Sequence, residues 1–270
     1  MIQENNTPKS LSIRISTDGL AFCVYTPNSE PHYTYKRWQV KPIMSMAANL
    51  KEALTNEPIL HGLFQRVNVL ISTPQFTTLP VMAFQRDKIE DVFQFVFPKT
   101  QNYHVTYNLL RRSGVAIIFG IDRHVRQLIL DDYPRARFYA AASTLSEFLS
   151  EKSLIGSHRK MYVYLHEGEM TLYCFNKGLI TFANTYSVKG VNDCQYYILN
   201  VWQQLHYDQL DDTLAIISDE ADASPLADKI LYFIKDTKLI QASEDFRDTL
   251  TANESNNMPY DLQTLLVCGF

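Results

Sequence analysis

A chain of 270 residues, 46% hydrophobic and 20% charged, carries enough apolar material for a large core and excludes a disordered or low-complexity polypeptide. Its net charge of −4 gives no global pull toward nucleic acid or acidic membranes. Only nine glycines occur, where an average usage of ~7% would give about 19, and their spacing excludes GxGxxG, GxxxxGK and GxSxG, which need close glycines for tight turns or backbone approach.

Leu11, Ile13 and Ile15 alternate with Ser12, Arg14 and Ser16, the period-2 pattern of a strand. Thr17-Asp18-Gly19 supplies turn chemistry and Ala21 to Tyr25 resumes as a second strand, so the start reads as a β-hairpin. A third strand is expected from Tyr33 to Val40. Met44, Ala47, Ala48, Leu50 and Leu54 then mark an amphipathic helix. Val67 to Ile71 is a buried-type strand closed by Ser72-Thr73-Pro74.

Further along, Ile89, Val92, Phe93 and Val96 form a helical stripe stopped by Pro98. Tyr103 to Arg111 and Val115 to Ile121 flank Ser113-Gly114 as a hairpin. Asp122 is placed to cap a helix carrying Val125, Leu128 and Ile129, which Tyr133-Pro134 ends. Arg137 to Ala141 reads as a short strand, and Thr144 with Glu147 as a capping box for the helix that follows. The polar stretch from Glu151 to Lys160 is a hinge candidate.

The opening order then returns. Met161 to Leu165, Met170 to Phe175 and Leu179 to Tyr186 are three strands, joined through His166-Glu167-Gly168-Glu169 and Asn176-Lys177-Gly178. Cys194, Ile198, Val201, Trp202 and Leu205 line a helix, and Thr213 to Ile217 is a strand ending in Ser218-Asp219. The turn glycines are 168 − 19 = 149 apart and the strand-ending serines 218 − 72 = 146 apart. Two landmarks with nearly one offset indicate a duplicated β-β-β-α-β unit. Ser224 and Pro225 are expected to open a last clear helix as N-cap and first residue, with Leu226, Ile230 and Phe233 inward. Ser243 to Met258 reads as a loop around a short helix, and Leu265 to Phe270 as strand or helix.

A duplicated β-β-β-α-β chain with an insertion in its first copy resembles the actin-like ATPase fold, a ribonuclease H-like α/β architecture that includes actin, Hsp70-type chaperones and sugar kinases. Within it the chain is similar to bacterial pilus-assembly and cell-division members. More closely, Leu11–Tyr25, Val115–Leu149 and Leu214–Ile230 resemble an uncharacterised bacterial family assigned that fold. The resemblance implies a first lobe over residues 1–155, with an inserted α+β subdomain at about 75–135, and a second lobe over 156–270.

It also implies a nucleotide cleft. In that fold each lobe's first hairpin turn carries a DxG-type motif whose backbone N–H groups cradle phosphate and whose Asp holds Mg²⁺ through water. Asp18 and Gly19 stand in the first turn without DxG spacing, and His166, Glu167 and Gly168 stand in the second, with His in place of Asp. Imidazole is a poor ligand for a hard cation. Where a Gly-Gly pair should admit adenosine, this chain has Ser218, Asp219 and Glu220. Three departures together argue for a vestigial nucleotide site with no catalytic residues and no cofactor. The expected function is that of an interaction scaffold with a protein partner, in the cytoplasm and without membrane insertion. The alternative is an active ATPase with unorthodox motifs that uses Mg·ATP.

Six of the twelve arginines, Arg111, Arg112, Arg123, Arg126, Arg135 and Arg137, fall within one tenth of the chain. They offer a docking face for an acidic protein or RNA, against the plainer reading of a solvated surface interspersed with Asp122, Asp131 and Asp132. His166 with Glu167 and Glu169 lacks HExxH spacing, since Met170 holds the second His position. The four cysteines, Cys23, Cys174, Cys194 and Cys268, include no CxxC pair and read as reduced thiols. Met1 to Ser10 carries no apolar leader, and no run approaches the ~18 apolar residues of a membrane helix.

Overall fold

The computed structural model of the chain describes residues 9–17, 19–27, 29–156, 158–219 and 222–268. In the first lobe β1 (Lys9–Ile15), β2 (Leu20–Tyr25) and β3 (Tyr33–Trp38) run antiparallel. Helix α1 (Met46–Asn56) follows, its first turn capped by Ser45 Oγ, which accepts from the Ala48 N–H at 3.2 Å. It returns the chain to β4 (Phe64–Ile71), parallel to β1. The chain then leaves the sheet for an insertion: β5 (Phe76–Pro80), α2 (Ile89–Val96), β6 (Tyr103–Leu110) and β7 (Val115–Asp122), whose three strands form a separate antiparallel sheet. Helix α3 (Arg123–Asp132) leads back to β8 (Arg137–Ala140), giving the order β3-β2-β1-β4-β8. Helix α4 (Ala141–Ser153) closes the lobe.

The second lobe repeats the plan. Its elements are β9 (Lys160–His166), β10 (Glu169–Asn176), β11 (Leu179–Ser187), α5 (Val191–Gln204), β12 (Thr213–Ser218), α6 (Ser224–Leu231) and β13 (Asp236–Ile240). The sheet order is β11-β10-β9-β12-β13. Short helices α7 (Ala242–Asp245) and α8 (Ala252–Asn257) lead into α9 (Tyr260–Cys268), which packs on α4. The duplication expected from the two offsets is therefore real, with one refinement. The Ser72 N–H donates to Ile15 O at 2.8 Å and the Asp219 N–H to Leu165 O at 3.0 Å, so the true counterpart of Ser72 is Asp219 rather than Ser218. Arg14 of β1 corresponds in the same way to Tyr164 of β9.

One core unites the inner faces of both lobes with Val115, Ile117, Phe119 and Ile121 of the insertion. A second lies under α5 and α6 and contains Ile198, Trp202, Leu214 and Ile230. The other face of β7 carries Ala116, Ile118 and Gly120, which meets α2. A Cβ at Gly120 would stand 2.7 Å from Phe93 Cζ and 2.8 Å from Tyr103 Cδ1, so only glycine lets Phe93 seat against the sheet. Burying Phe93 there is worth about 1.5–3 kcal/mol.

Several expectations need correction. Thr144 is not an N-cap: β8 runs straight into α4 through Ala140, leaving no turn for a capping box, and the Thr144 hydroxyl donates to Ala141 O at 3.1 Å. Ser224 is already inside α6, and Asp222 Oδ1 accepts its N–H at 2.9 Å. Phe233 lies past α6 and is 44% exposed, with Ile234 taking the inward place. The stretch from Ser243 to Met258 holds two short helices, and α9 settles the C-terminal ambiguity as helix. Strands β5 and β13 escaped the sequence pattern because Thr77-Thr78 and Asp236-Thr237-Lys238 break the apolar alternation.

Asp122 does cap α3, its Oδ1 accepting from the N–H groups of His124 at 2.9 Å and Val125 at 3.0 Å. Asp122→Ala is expected to cost about 1 kcal/mol, read as a lower denaturant midpoint at unchanged slope. Asn108 of β6 reaches the open edge of β8: its Nδ2 donates to Phe138 O at 3.1 Å and its Oδ1 accepts from the Ala140 N–H at 3.0 Å. None of the four cysteines is in a disulfide. Among the described residues no helix is long and apolar enough to cross a membrane.

Candidate functional site

The two lobes enclose a cleft of about 610 Å³. It gathers Gly19, His166, Glu167, Ser218 and Asp219 from the expected set, together with Arg14, Arg37 and Tyr35 from the first lobe and the segment from Ser255 to Pro259 from the second. Gly168 faces an adjoining cavity of about 280 Å³ with Ser218 and Cys194. Asp18 and Glu220 lie outside the described residues.

Each side chain is placed by the hairpins. The second turn is the two-residue Glu167-Gly168, at φ +50° and +72°, the left-handed pair that a tight hairpin requires. It aims the Glu167 carboxylate across the cleft, where Oε1 accepts from Arg14 Nη1 and from the Ser16 hydroxyl, each at 2.9 Å. The first turn closes on itself, with the Ser16 N–H donating to Gly19 O at 3.0 Å. Arg14 projects from the C-terminal end of β1 and is nearly fully buried. Its Nε donates to Asp261 Oδ1 at 2.7 Å and Oδ2 at 2.9 Å, and the Asp261 side chain is wholly buried. Burial alone would push Arg14 toward losing its proton. Asp261, with smaller contributions from Tyr164 and Glu167, more than reverses this, so the guanidinium is held charged.

Asp219 is the second centre. Its Oδ2 is hydrogen-bonded to the Tyr164 hydroxyl, and its Oδ1 accepts the Tyr260 N–H at 2.8 Å. Asp219 is exposed at the rim of the cleft, the bonds to both of its carboxyl oxygens are part-buried, and these surroundings set its proton affinity. Desolvation and the charge of Asp261 raise it to about 7, against the opposing effect of Tyr164, the Tyr260 N–H and Arg14. His166 stacks on Tyr164 with ring centres 4.5 Å apart and lies 3.2 Å from the Thr171 hydroxyl.

These residues do not fit the Mg²⁺ and triphosphate that the fold resemblance implies. Glu167 is engaged by Arg14 and Ser16, and Asp219 by Tyr164 and Tyr260. Among the described residues no three His, Cys, Asp or Glu side chains are placed to hold a metal ion. A triphosphate between the hairpins would face Glu167 and Asp219, while Arg14, one of the two arginines lining the cleft, is already shared by two carboxylates. Beside β12, where the resemblance expects a Gly-Gly pair, the cleft is lined by Asp219 and by Met258 and Pro259.

The arginine run is divided in space. Arg111 and Arg112 stand at the turn end of β7, and Arg112 pairs with Glu151 at 2.8 Å. Arg123 and Arg126 stand at the other end of that eight-residue strand, about 23 Å away at ~3.3 Å per residue. Arg123 donates to Tyr103 O at 3.0 Å, and Arg126 lies 6.0 Å from the centre of the Phe138 ring. Arg135 and Arg137 are exposed near β8.

Sequence reasoning missed Arg14, Tyr164, Tyr260 and Asp261. Arg14 stands with Ser12 and Ser16 on the polar side of the β1 alternation, so the pattern alone reads it as solvent-facing and carries no signal that it is buried and paired.

Residues 1–236 match the family described as Protein of unknown function (DUF3822). A Bacteroides thetaiotaomicron protein with actin-like ATPase fold and unknown function is 32% identical over 99% of both chains, with a TM-score of 0.84. A chain of the PilM-PilN type IV pilus biogenesis complex is 8% identical, covers 95% of this chain and 96% of its own, and has a TM-score of 0.58, a likeness of fold alone. No protein of curated function matches in sequence.

Proposed function

The chain belongs to the family described as Protein of unknown function (DUF3822) and has the actin-like ATPase fold; from that premise we propose that it works as a cytoplasmic interaction scaffold rather than as an ATPase. The single observation that carries this reading is the clamp of Arg14 and Ser16 on Glu167, which places a neutralised carboxylate at the corner where a nucleotide's phosphates would be gripped. A cleft bridged in this way holds the lobes together without a ligand and frees the outer surface for docking. That PilM is found in a complex with PilN supports a protein as the partner class.

Millimolar Mg·ATP is expected to leave Tm unchanged and to yield no phosphate release above a heat-treated control. A ligand at one hundred times its Kd would stabilise by about 2.7 kcal/mol, a rise of about 5–10 °C for a chain of this size. Such a rise, or turnover that Asp18→Ala abolishes, would replace the scaffold with an active ATPase.

A further inference from the structure

We infer that the outer edge of β3 is a docking strand for an extended segment of a partner protein that carries two adjacent acidic residues and adds to the first-lobe sheet. The inference rests on the scaffold reading and names the class of partner. Strand β3 is the outermost of the order β3-β2-β1-β4-β8. The opposite margin of that sheet is occupied, since the Asn108 amide takes the Phe138 carbonyl and the Ala140 N–H of β8.

Register fixes which backbone groups of β3 are open. The Thr26 N–H donates to His32 O at 2.8 Å, just outside the Tyr25–Tyr33 pair. Hydrogen-bonded and non-hydrogen-bonded pairs alternate along an antiparallel ladder. Thr34, Lys36 and Trp38 therefore turn their backbone groups to β2, while Tyr33, Tyr35 and Arg37 turn theirs outward. Among the described residues, none of these outward N–H and C=O groups has a hydrogen-bond partner. Such a row is the template on which a further strand pairs.

The side chains decide which strand fits. Arg37 lies on the cleft face of β3, and Lys36 on the opposite face, because neighbours in a strand alternate. Both are exposed. Lys36 comes no nearer than 4.0 Å to Glu57, and no described residue pairs with the Arg37 guanidinium. An added strand sets its side chains about 5 Å from their cross-strand neighbours, so two consecutive carboxylates would meet one cation each, one on either face. Two copies of this chain pairing through β3 would instead crowd four cations onto one short ladder, which disfavours a second copy as the occupant. The outer strand of the second lobe offers no such charge, since Lys238 of β13 is paired with Asp236 of the same strand at 2.9 Å. Past the end of β3, Arg37 and Trp38 border a hollow of about 750 Å³ with Val40 and Pro42, room for an apolar side chain next to the acidic pair.

Fluorescence anisotropy on the full chain tests this with a labelled synthetic peptide of about eight residues, a strand's length, alternating valine and threonine around a central Glu-Glu. Saturable binding is expected, weaker as salt rises and about tenfold weaker in Arg37→Glu. Backbone N-methylation separates strand addition from charge attraction alone. Methylating one alternate set of peptide amides should abolish binding, because that set faces β3, and methylating the other set should leave it unchanged. No binding to the native chain, equal binding by Arg37→Glu, equal effects of the two methylated sets, or equal binding of a peptide with a Lys-Lys centre would each overturn the docking strand. So would a native chain that dimerises and is dissociated by the peptide, which would assign the edge to a second copy. Should Arg37→Glu not fold, the two methylated peptides decide on the native chain. Turnover of Mg·ATP would remove the scaffold reading and leave a peptide complex standing, whereas a peptide that fails to bind removes this site alone.

Discussion

Arg14→Ala is expected to destabilise the chain by about 3–5 kcal/mol, the cost of removing one partner from a buried ion pair. The reason lies in what stays behind. Asp261 is fully buried and would lose both bonds from the Arg14 Nε, and Glu167 would keep only Ser16. Guanidinium chloride unfolding should show the loss as a lower midpoint. The paired replacement Arg14→Met with Asp261→Leu should recover most of it, since well-packed apolar side chains often replace a buried ion pair at no net cost. A loss below about 1 kcal/mol for Arg14→Ala would mean that the two lobes are not held by this side chain.

Phe246→Ala is expected to cost a similar 3–5 kcal/mol, by lost transfer energy and the cavity left in a packed interior. Phe246 is 2% exposed and stacks on Phe148 of α4 with ring centres 5.0 Å apart, while Tyr260 of α9 meets it edge-on at 5.0 Å. This aromatic group is where the segment beyond β13 is anchored to both lobes. Limited proteolysis should therefore cut the variant first between Ala242 and Pro259, before either sheet is attacked. Cutting in the inserted sheet first would contradict the anchoring role.

The architecture was legible because repetition is a property of the sequence itself. A turn glycine and a strand-ending residue recur at nearly one offset, and strands such as Val67 to Ile71 and Thr213 to Ile217 announce themselves as apolar runs. The site was half legible. Glu167 and Asp219 could be singled out as departures from a phosphate-binding pattern, because those positions are defined by local turns. Their partners could not, since Arg14 and Asp261 are 247 positions apart and only the closed cleft brings them together. The arginine run shows the reverse failure. Residues adjacent in sequence are carried to opposite ends of β7, because a hairpin strand separates what it connects.

The amide of Asn108 has a consequence for how these molecules behave at high concentration. By taking the Phe138 carbonyl and the Ala140 N–H, it imitates one peptide unit of a neighbouring strand and ends the sheet there. A sheet left open on that side would offer backbone groups to any extended chain, including another copy of itself. With the margin filled from within, the first lobe resists intermolecular zippering while its outer surface stays available.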